Sequence, residues 1–142
     1  MAGTYTQLHV QFVFAVSGRQ NLIPKKHRER IHRYITGIVR ERDHKMLSVF
    51  CMPDHCHVFV GMKPRMSVSD LVGQIKAVSS RFINEQQWFK GKFRWQEGYG
   101  AFSYSRSQVN KVCQYILNQE EHHRKKTFRE EYISFLKKFE IE

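Results

Sequence analysis

The sequence predicts an α+β fold, a four-stranded antiparallel sheet in the order β-α-β-β-α-β. This is the ferredoxin-like or RRM-like arrangement, with helices on one face and two more helices, one bearing a tyrosine, after the last strand. Three observations carry the prediction. Residues Tyr5 to Val16 alternate apolar and polar side chains, the period of a half-buried strand. Two apolar stripes of helical period follow, one through Ile31, Tyr34, Ile35, Ile38 and Val39 and one through Val68, Leu71, Val72, Ile75, Val78, Phe82 and Ile83. Between them, only Pro53-Asp54 divides the run Met46 to Met52 from the run His55 to Met62, the spacing of an antiparallel hairpin.

Each element has its own local reason. In the first strand Leu8, Val10, Phe12, Phe14 and Val16 share one face, while Gln7, His9 and Gln11 share the other. Pro24 suits the first turn of the first helix. The remaining faces of that helix carry Lys25, Lys26, Arg28, Arg30, Arg33, Arg40 and Arg42, a solvated surface that could also track phosphates. Ser67-Val68-Ser69-Asp70 is a capping pattern that starts the second helix. From Asn84 to Gly98 periodicity fails, and Trp88, Phe89, Phe93 and Trp95 interleave with Lys90, Lys92 and Arg94. Such a stretch could stack unpaired bases, but a structural role for the tryptophans is the better reading. Tyr99 to Tyr104 resume as the fourth strand, and Ser105-Arg106-Ser107 cap a helix from Gln108 to His122. Thr127-Phe128-Arg129-Glu130 open a last helix that packs Phe128, Tyr132, Phe135, Leu136 and Phe139. Nothing resembles a linker or a repeat, so residues 1–142 read as one domain.

Composition narrows the partners. Lys and Arg number 24 against 13 Asp and Glu, a formal net charge of +11, which suits a polyanion. No apolar run approaches the ~20 residues of a membrane helix, and no signal peptide opens the chain. Cys51, Cys56 and Cys113 are an odd number without framework spacing and read as buried thiols. Together these features point to a cytoplasmic, nucleoid-associated protein that handles nucleic acid.

The chemistry centres on Met52-Pro53-Asp54-His55-Cys56-His57-Val58-Phe59-Val60. On a strand His55 and His57 project from one face, while Cys56, Val58, Val60 and Met62 point to the core. Gln7, His9 and Gln11 are expected beside the two imidazoles on a free, polar sheet face, a working surface. A second constellation lies on the helix from Gln108 to His122. Val109, Val112, Cys113 and Ile116 form its apolar stripe, while Gln108, Lys111, Tyr115, Asn118, Gln119 and His122 occupy the opposite sector. Tyr115 is thereby expected to point away from the domain that its own helix packs on. Its neighbour one turn on, Gln119, offers an oxygen on the same face.

A tyrosine oxygen can cut a phosphodiester by transesterification and keep the bond as a phosphotyrosine linkage. That reaction needs a Lewis acid on the scissile phosphate and cations along the backbone. His55, His57 and Gln119 supply two nitrogens and one oxygen for a divalent cation, with Mg²⁺ or Mn²⁺ favoured by a phosphate substrate and Zn²⁺ also suited to the imidazoles. Lys111 could neutralise the phosphate, and His122-His123-Arg124-Lys125-Lys126 form a basic turn. Two other functions compete: a catalytically idle nucleic-acid binder on the sheet, and a metallohydrolase with a water nucleophile, which would want a further carboxylate.

These motifs resemble those of the single-tyrosine HUH transposases of small insertion sequences, including the REP-associated tyrosine transposases. The resemblance runs over nearly the whole chain: the opening strand, the His55-Cys56-His57 motif, Trp95-Gln96-Glu97-Gly98-Tyr99, and Tyr115-Ile116-Leu117-Asn118-Gln119-Glu120-Glu121-His122-His123. It implies Tyr115 as nucleophile, with His55, His57 and Gln119 as metal ligands. It also implies cleavage of single-stranded DNA beside small hairpins, leaving a 5′-phosphotyrosine and a free 3′-OH. A homodimer is implied too, in which the tyrosine helix can complete the partner's active site.

Overall fold

The structure is a computed structural model that describes residues 3–141. Its strands are β1 (Leu8–Ala15), β2 (Lys45–Met52), β3 (His55–Met62) and β4 (Gly100–Tyr104). Helices α1 (Arg28–Glu41) and α2 (Val68–Gln86) form the two crossovers, and α3 (Val109–Leu117), α4 (Gln119–His122) and α5 (Phe128–Lys138) follow β4. The sheet order is β2-β3-β1-β4, with every neighbouring pair antiparallel. This is the ferredoxin-like arrangement that the pattern of periods predicts. It puts β1 and β3 side by side at the centre, so that Val13 stands opposite His57 and Ala15 opposite His55.

On one side of the sheet Phe12, Phe14, Cys56, Val58 and Val60 meet Ile31 and Ile35 of α1 and Leu71, Ile75 and Ile83 of α2. The irregular stretch after α2 belongs to this core. Trp95 Nε1 donates to Ser79 Oγ at 3.0 Å, and its ring meets Phe14 and Phe93 edge-on. Asn84 bonds both the N–H and the C=O of Phe93, so the loop is stapled to its helix. Trp88 stacks on His27 with ring centroids 4.2 Å apart. Cys51 and Cys56 are buried free thiols that face each other across the β2–β3 hairpin, while Cys113 is only half-buried.

The other side of the sheet corrects an expectation: it is not a free polar surface. Helices α3 and α5 cover it, with Phe59, Val112 and Ile116 in one cluster and Val13, Phe102 and Phe135 in another. The physical reason lies in the strands. Polar alternation on β1 ends at Gln11, the next residues on that face are Val13 and Ala15, and Phe59 on β3 and Phe102 on β4 stand on either side of Gln11. Apolar surface of that extent has to be covered. Smaller differences occur at the element ends. β1 begins at Leu8, leaving Tyr5 exposed, and Pro24 precedes a 3₁₀ turn (Lys25–His27) rather than α1 itself.

The expected helix from Gln108 to His122 starts as a 3₁₀ turn and breaks at Asn118 (φ −100°, ψ 21°), which ends α3 and starts α4. The loop to α5 closes on the predicted capping box: Thr127 Oγ1 accepts from Glu130 N–H and Glu130 Oε1 accepts from Thr127 N–H. That cap fixes the register in which α5 meets the sheet. Gly100 marks the closest approach. A Cβ there would stand 2.9 Å from both Phe102 Cε2 and the Tyr132 hydroxyl. Gly100→Ala is therefore expected to push α5 off β4 and lower stability by about 1–3 kcal/mol in urea denaturation.

Candidate metal and tyrosine site

Two imidazoles are delivered by β3 and oriented by their neighbours. His55 Nδ1 lies 2.7 Å from Asp54 Oδ1, so its hydrogen is donated to the carboxylate of the preceding turn residue. His57 Nδ1 lies 2.7 Å from Gln11 Oε1, while Gln11 Nε2 donates to the Tyr104 hydroxyl at 3.0 Å. An amide oxygen only accepts, so this pairing places the His57 hydrogen on Nδ1. Both Nε2 atoms then present lone pairs to one interior point. The His55 ring is further held by stacking on Phe128, with centroids 4.1 Å apart.

Glu131 of α5 meets them there. The nearest ligand atoms of His55, His57 and Glu131 all lie within 4.8 Å of one another, and all three residues are buried. Glu131 Oε1 is 3.3 Å from His57 Nε2 and 3.6 Å from His55 Nε2. His57 Nε2 itself has no hydrogen-bond partner. Burial lowers the His57 pKa, outweighing the carboxylate beside it, which keeps the ring neutral. Two imidazole Nε2 atoms and a carboxylate oxygen facing one another form an arrangement that a divalent cation would complete.

Tyr115 and Gln119 reach the same place from α3 and α4. The Tyr115 hydroxyl donates to Glu131 Oε2, and its ring lies 6.1 Å from that of His57 and 5.9 Å from that of Phe135. Gln119 is fully buried; its Oε1 lies 3.3 Å from His55 Nε2 and its Nε2 donates to Glu131 Oε2 at 2.9 Å. His123 Nε2 approaches Gln119 Oε1 at 2.9 Å and Glu131 Oε1 at 3.2 Å. All four residues singled out in the sequence thus surround one carboxylate. Tyr115 does not point away from its own domain as expected, because α5 closes over the sheet and packs against the sector opposite Val112 and Ile116.

Beside Tyr115 opens a cavity of about 390 Å³ lined by Gln108, Lys111, Lys126, Lys138 and His122 as well as Glu131. It gives solvent and substrate a route to the phenol past three ammonium groups. Burial and the adjacent carboxylate both raise the Tyr115 pKa, so the phenol is protonated at neutral pH. Partial burial pushes the half-buried Tyr104 hydroxyl up to about 12, against the opposing bond from Gln11.

Three contributors escape a reading of the sequence alone: Asp54 as the His55 partner, His123, and above all Glu131. A signal for Glu131 does exist. Phe128, Glu131, Tyr132 and Phe135 fall at i, i+3, i+4 and i+7, so the carboxylate sits on the buried face of its helix.

The cluster also has a pH signature in metal-free protein. Burial works against the charge of Glu131, but bonds from His123 and Tyr115 and the nearness of the His57 ring outweigh it and hold its pKa well below the usual carboxylate range. A depressed acid contributes stability that is present above its unfolded value of 4.5 and lost as pH falls. Burial likewise opposes the charge of His123, but Glu131 outweighs it and raises that pKa, so its contribution is complete below 6.5 and lost as pH rises. Glu131→Gln should therefore cost most between pH 4.5 and 6.5. There the cost is about 3 kcal/mol by denaturation in chelator, and the difference shrinks on either side.

Comparison with known proteins agrees with this architecture. The profile described as "Transposase IS200 like" matches residues 4–119. Transposases for insertion sequence element IS200 from Salmonella typhimurium (strain LT2) and Salmonella typhi are each 27% identical over 124 residues, covering 84% of this chain and 81% of the relative. Among solved structures, a transposase candidate from Deinococcus radiodurans R1 superposes with a TM-score of 0.66 at 21% identity, over 84% of this chain and 95% of the other. A REP-associated tyrosine transposase bound to a REP hairpin gives 0.62 at 15% identity, over 87% and 73%. Those two likenesses establish the shared fold, while the profile spans most of the sequence. The chain belongs to the IS200-like transposase family.

Proposed function

We propose that this transposase cuts and rejoins single-stranded DNA beside hairpins through a covalent Tyr115 intermediate. The whole chain acts as one HUH endonuclease domain, and His55, His57 and Gln119, with Glu131, hold a divalent cation, Mg²⁺ or Mn²⁺. The observation that carries the reading is convergence. His55 Nε2, His57 Nε2 and a Glu131 oxygen meet directly beside the Tyr115 hydroxyl, at the base of a lysine-lined cavity. A cation bound there supplies Lewis-acid charge for the scissile phosphate.

The residues of the chain do the rest. Lys111, Lys126 and Lys138 draw the DNA backbone toward the cavity. Packing against His57 and Phe135 sets the direction of the Tyr115 ring. Tyr115 Oη gives up its proton to solvent and forms a bond to phosphorus as the P–O3′ bond breaks. The 5′ side stays on the tyrosine, and the departing 3′ oxygen takes up a proton from solvent. Attack by that 3′-OH, or by another, reverses the step and joins strands. The hairpin held by the REP-associated relative supports a hairpin substrate. The active species is a cytoplasmic, nucleoid-associated homodimer. Among the described residues no helix is long and apolar enough to cross a membrane.

The test is to incubate the chain with single-stranded DNA carrying hairpins from the flanks of its gene, with Mg²⁺ or Mn²⁺. A protein–DNA adduct that survives denaturation and disappears with chelator supports the proposal. Glu131 also strengthens a second reading, since it is the carboxylate a metallohydrolase would want. That reading replaces the first if cleavage yields free 5′-phosphate ends and no adduct.

A further inference from the structure

The carboxylate of Glu131 has two claimants. Its Oε2 accepts from the Tyr115 hydroxyl and from Gln119 Nε2, while its Oε1 faces His57 Nε2 at 3.3 Å, His123 Nε2 at 3.2 Å and His55 Nε2 at 3.6 Å. It is 1% exposed, so water does not compete for either oxygen. The side chain is carried by α5, which is anchored by its capping box and by the Phe102–Phe135 stack at 4.9 Å. Both α5 and Glu131 lie beyond residue 119, where the family match ends, so this tether is an addition to the matched stretch.

We propose that Glu131 is a positioning residue that links the cation site to the nucleophile, holding the Tyr115 hydroxyl in the cation-free chain and yielding it when a cation occupies the imidazole side. The inference rests on the reading of His55 and His57 as cation ligands. A carboxylate drawn toward a divalent cation turns its negative charge away from the phenol, so the Tyr115 bond weakens and the oxygen is free to approach phosphorus. Because the two oxygens share one negative charge, charge drawn to a cation at Oε1 weakens Oε2 as an acceptor for the phenol. The tyrosine is thereby made available only where the Lewis acid is already in place, which protects both DNA and protein from unproductive encounters.

The experiment uses the full chain labelled with 3-fluorotyrosine and read by ¹⁹F NMR, the Tyr115 resonance being identified by its loss in Tyr115→Phe. Cation binding is measured separately by Mn²⁺ EPR. In the unmodified chain Mg²⁺ is expected to move the Tyr115 resonance, with a midpoint that matches competition against Mn²⁺. Glu131→Gln, which keeps the shape of the side chain, is expected to abolish that movement and to weaken Mn²⁺ binding by at least roughly 10-fold. Mn²⁺ binding with an unmoved Tyr115 resonance overturns the link while leaving the cation reading standing. A movement that persists in Glu131→Gln overturns it equally. Failure of the unmodified chain to bind Mn²⁺ overturns both. The titration of the unmodified chain decides the matter even if Glu131→Gln folds poorly.

Discussion

Tyr115→Phe should leave the protein folded and able to bind hairpin DNA, yet remove the covalent adduct and lower strand cleavage by roughly 10⁴-fold or more. The substitution deletes one oxygen. The ring keeps its contacts with His57, Phe135 and His122, so the walls of the site stay in place. What is lost in the resting protein is the bond to Glu131, whose Oε2 still accepts from Gln119 Nε2 at 2.9 Å. A stability cost of about 1–2 kcal/mol follows for one bond to a charged acceptor. Denaturing gels with end-labelled hairpin DNA, beside a binding assay on the same DNA, separate the two effects. Undiminished cleavage by Tyr115→Phe would rule out the tyrosine mechanism.

His57→Ala should abolish cation-dependent cleavage for a different reason. It removes a lone pair that no other residue among those described can replace at that position, and it leaves Gln11 Oε1 without its donor. Loss of a direct ligand costs more than the roughly 10–100-fold typical of a change in the residues behind it. Binding of hairpin DNA, driven by the lysines and arginines of a chain with net charge +11, should persist. Titration with Mn²⁺ by EPR reads the affinity directly. The same variant also tests whether the proposed homodimer shares its chemistry between subunits. An equimolar mixture with Tyr115→Phe stays inactive if tyrosine and imidazoles act within one chain, the geometry seen here. Recovered cleavage would assign them to different subunits.

Much of this molecule was legible in the sequence because its information is local. Alternation in β1, helical stripes in α1 and α2 and the two-residue turn at Pro53-Asp54 each follow from the chain's immediate surroundings, and together they leave few topologies. The sheet order β2-β3-β1-β4 is one of them. The pairing of His55 with His57 on one face, and of Tyr115 with Gln119 one turn apart, follows from strand and helix periods in the same way.

What the tertiary structure alone decided is what covers the far side of the sheet. Val13, Phe59 and Phe102 are single apolar residues on three separate strands, and only after the strands pair do they become one surface that must be buried. Helix α5 answers that demand. In docking there it brings a carboxylate from residue 131 to imidazoles at 55 and 57, turns Tyr115 inward and encloses Gln119. The sequence by itself determined the elements, the family motifs and the sector of each helix on which the chemistry lies. The partners of those residues depend on long-range packing, because burial of apolar surface is non-directional and says nothing in advance about which polar side chain it will carry inward.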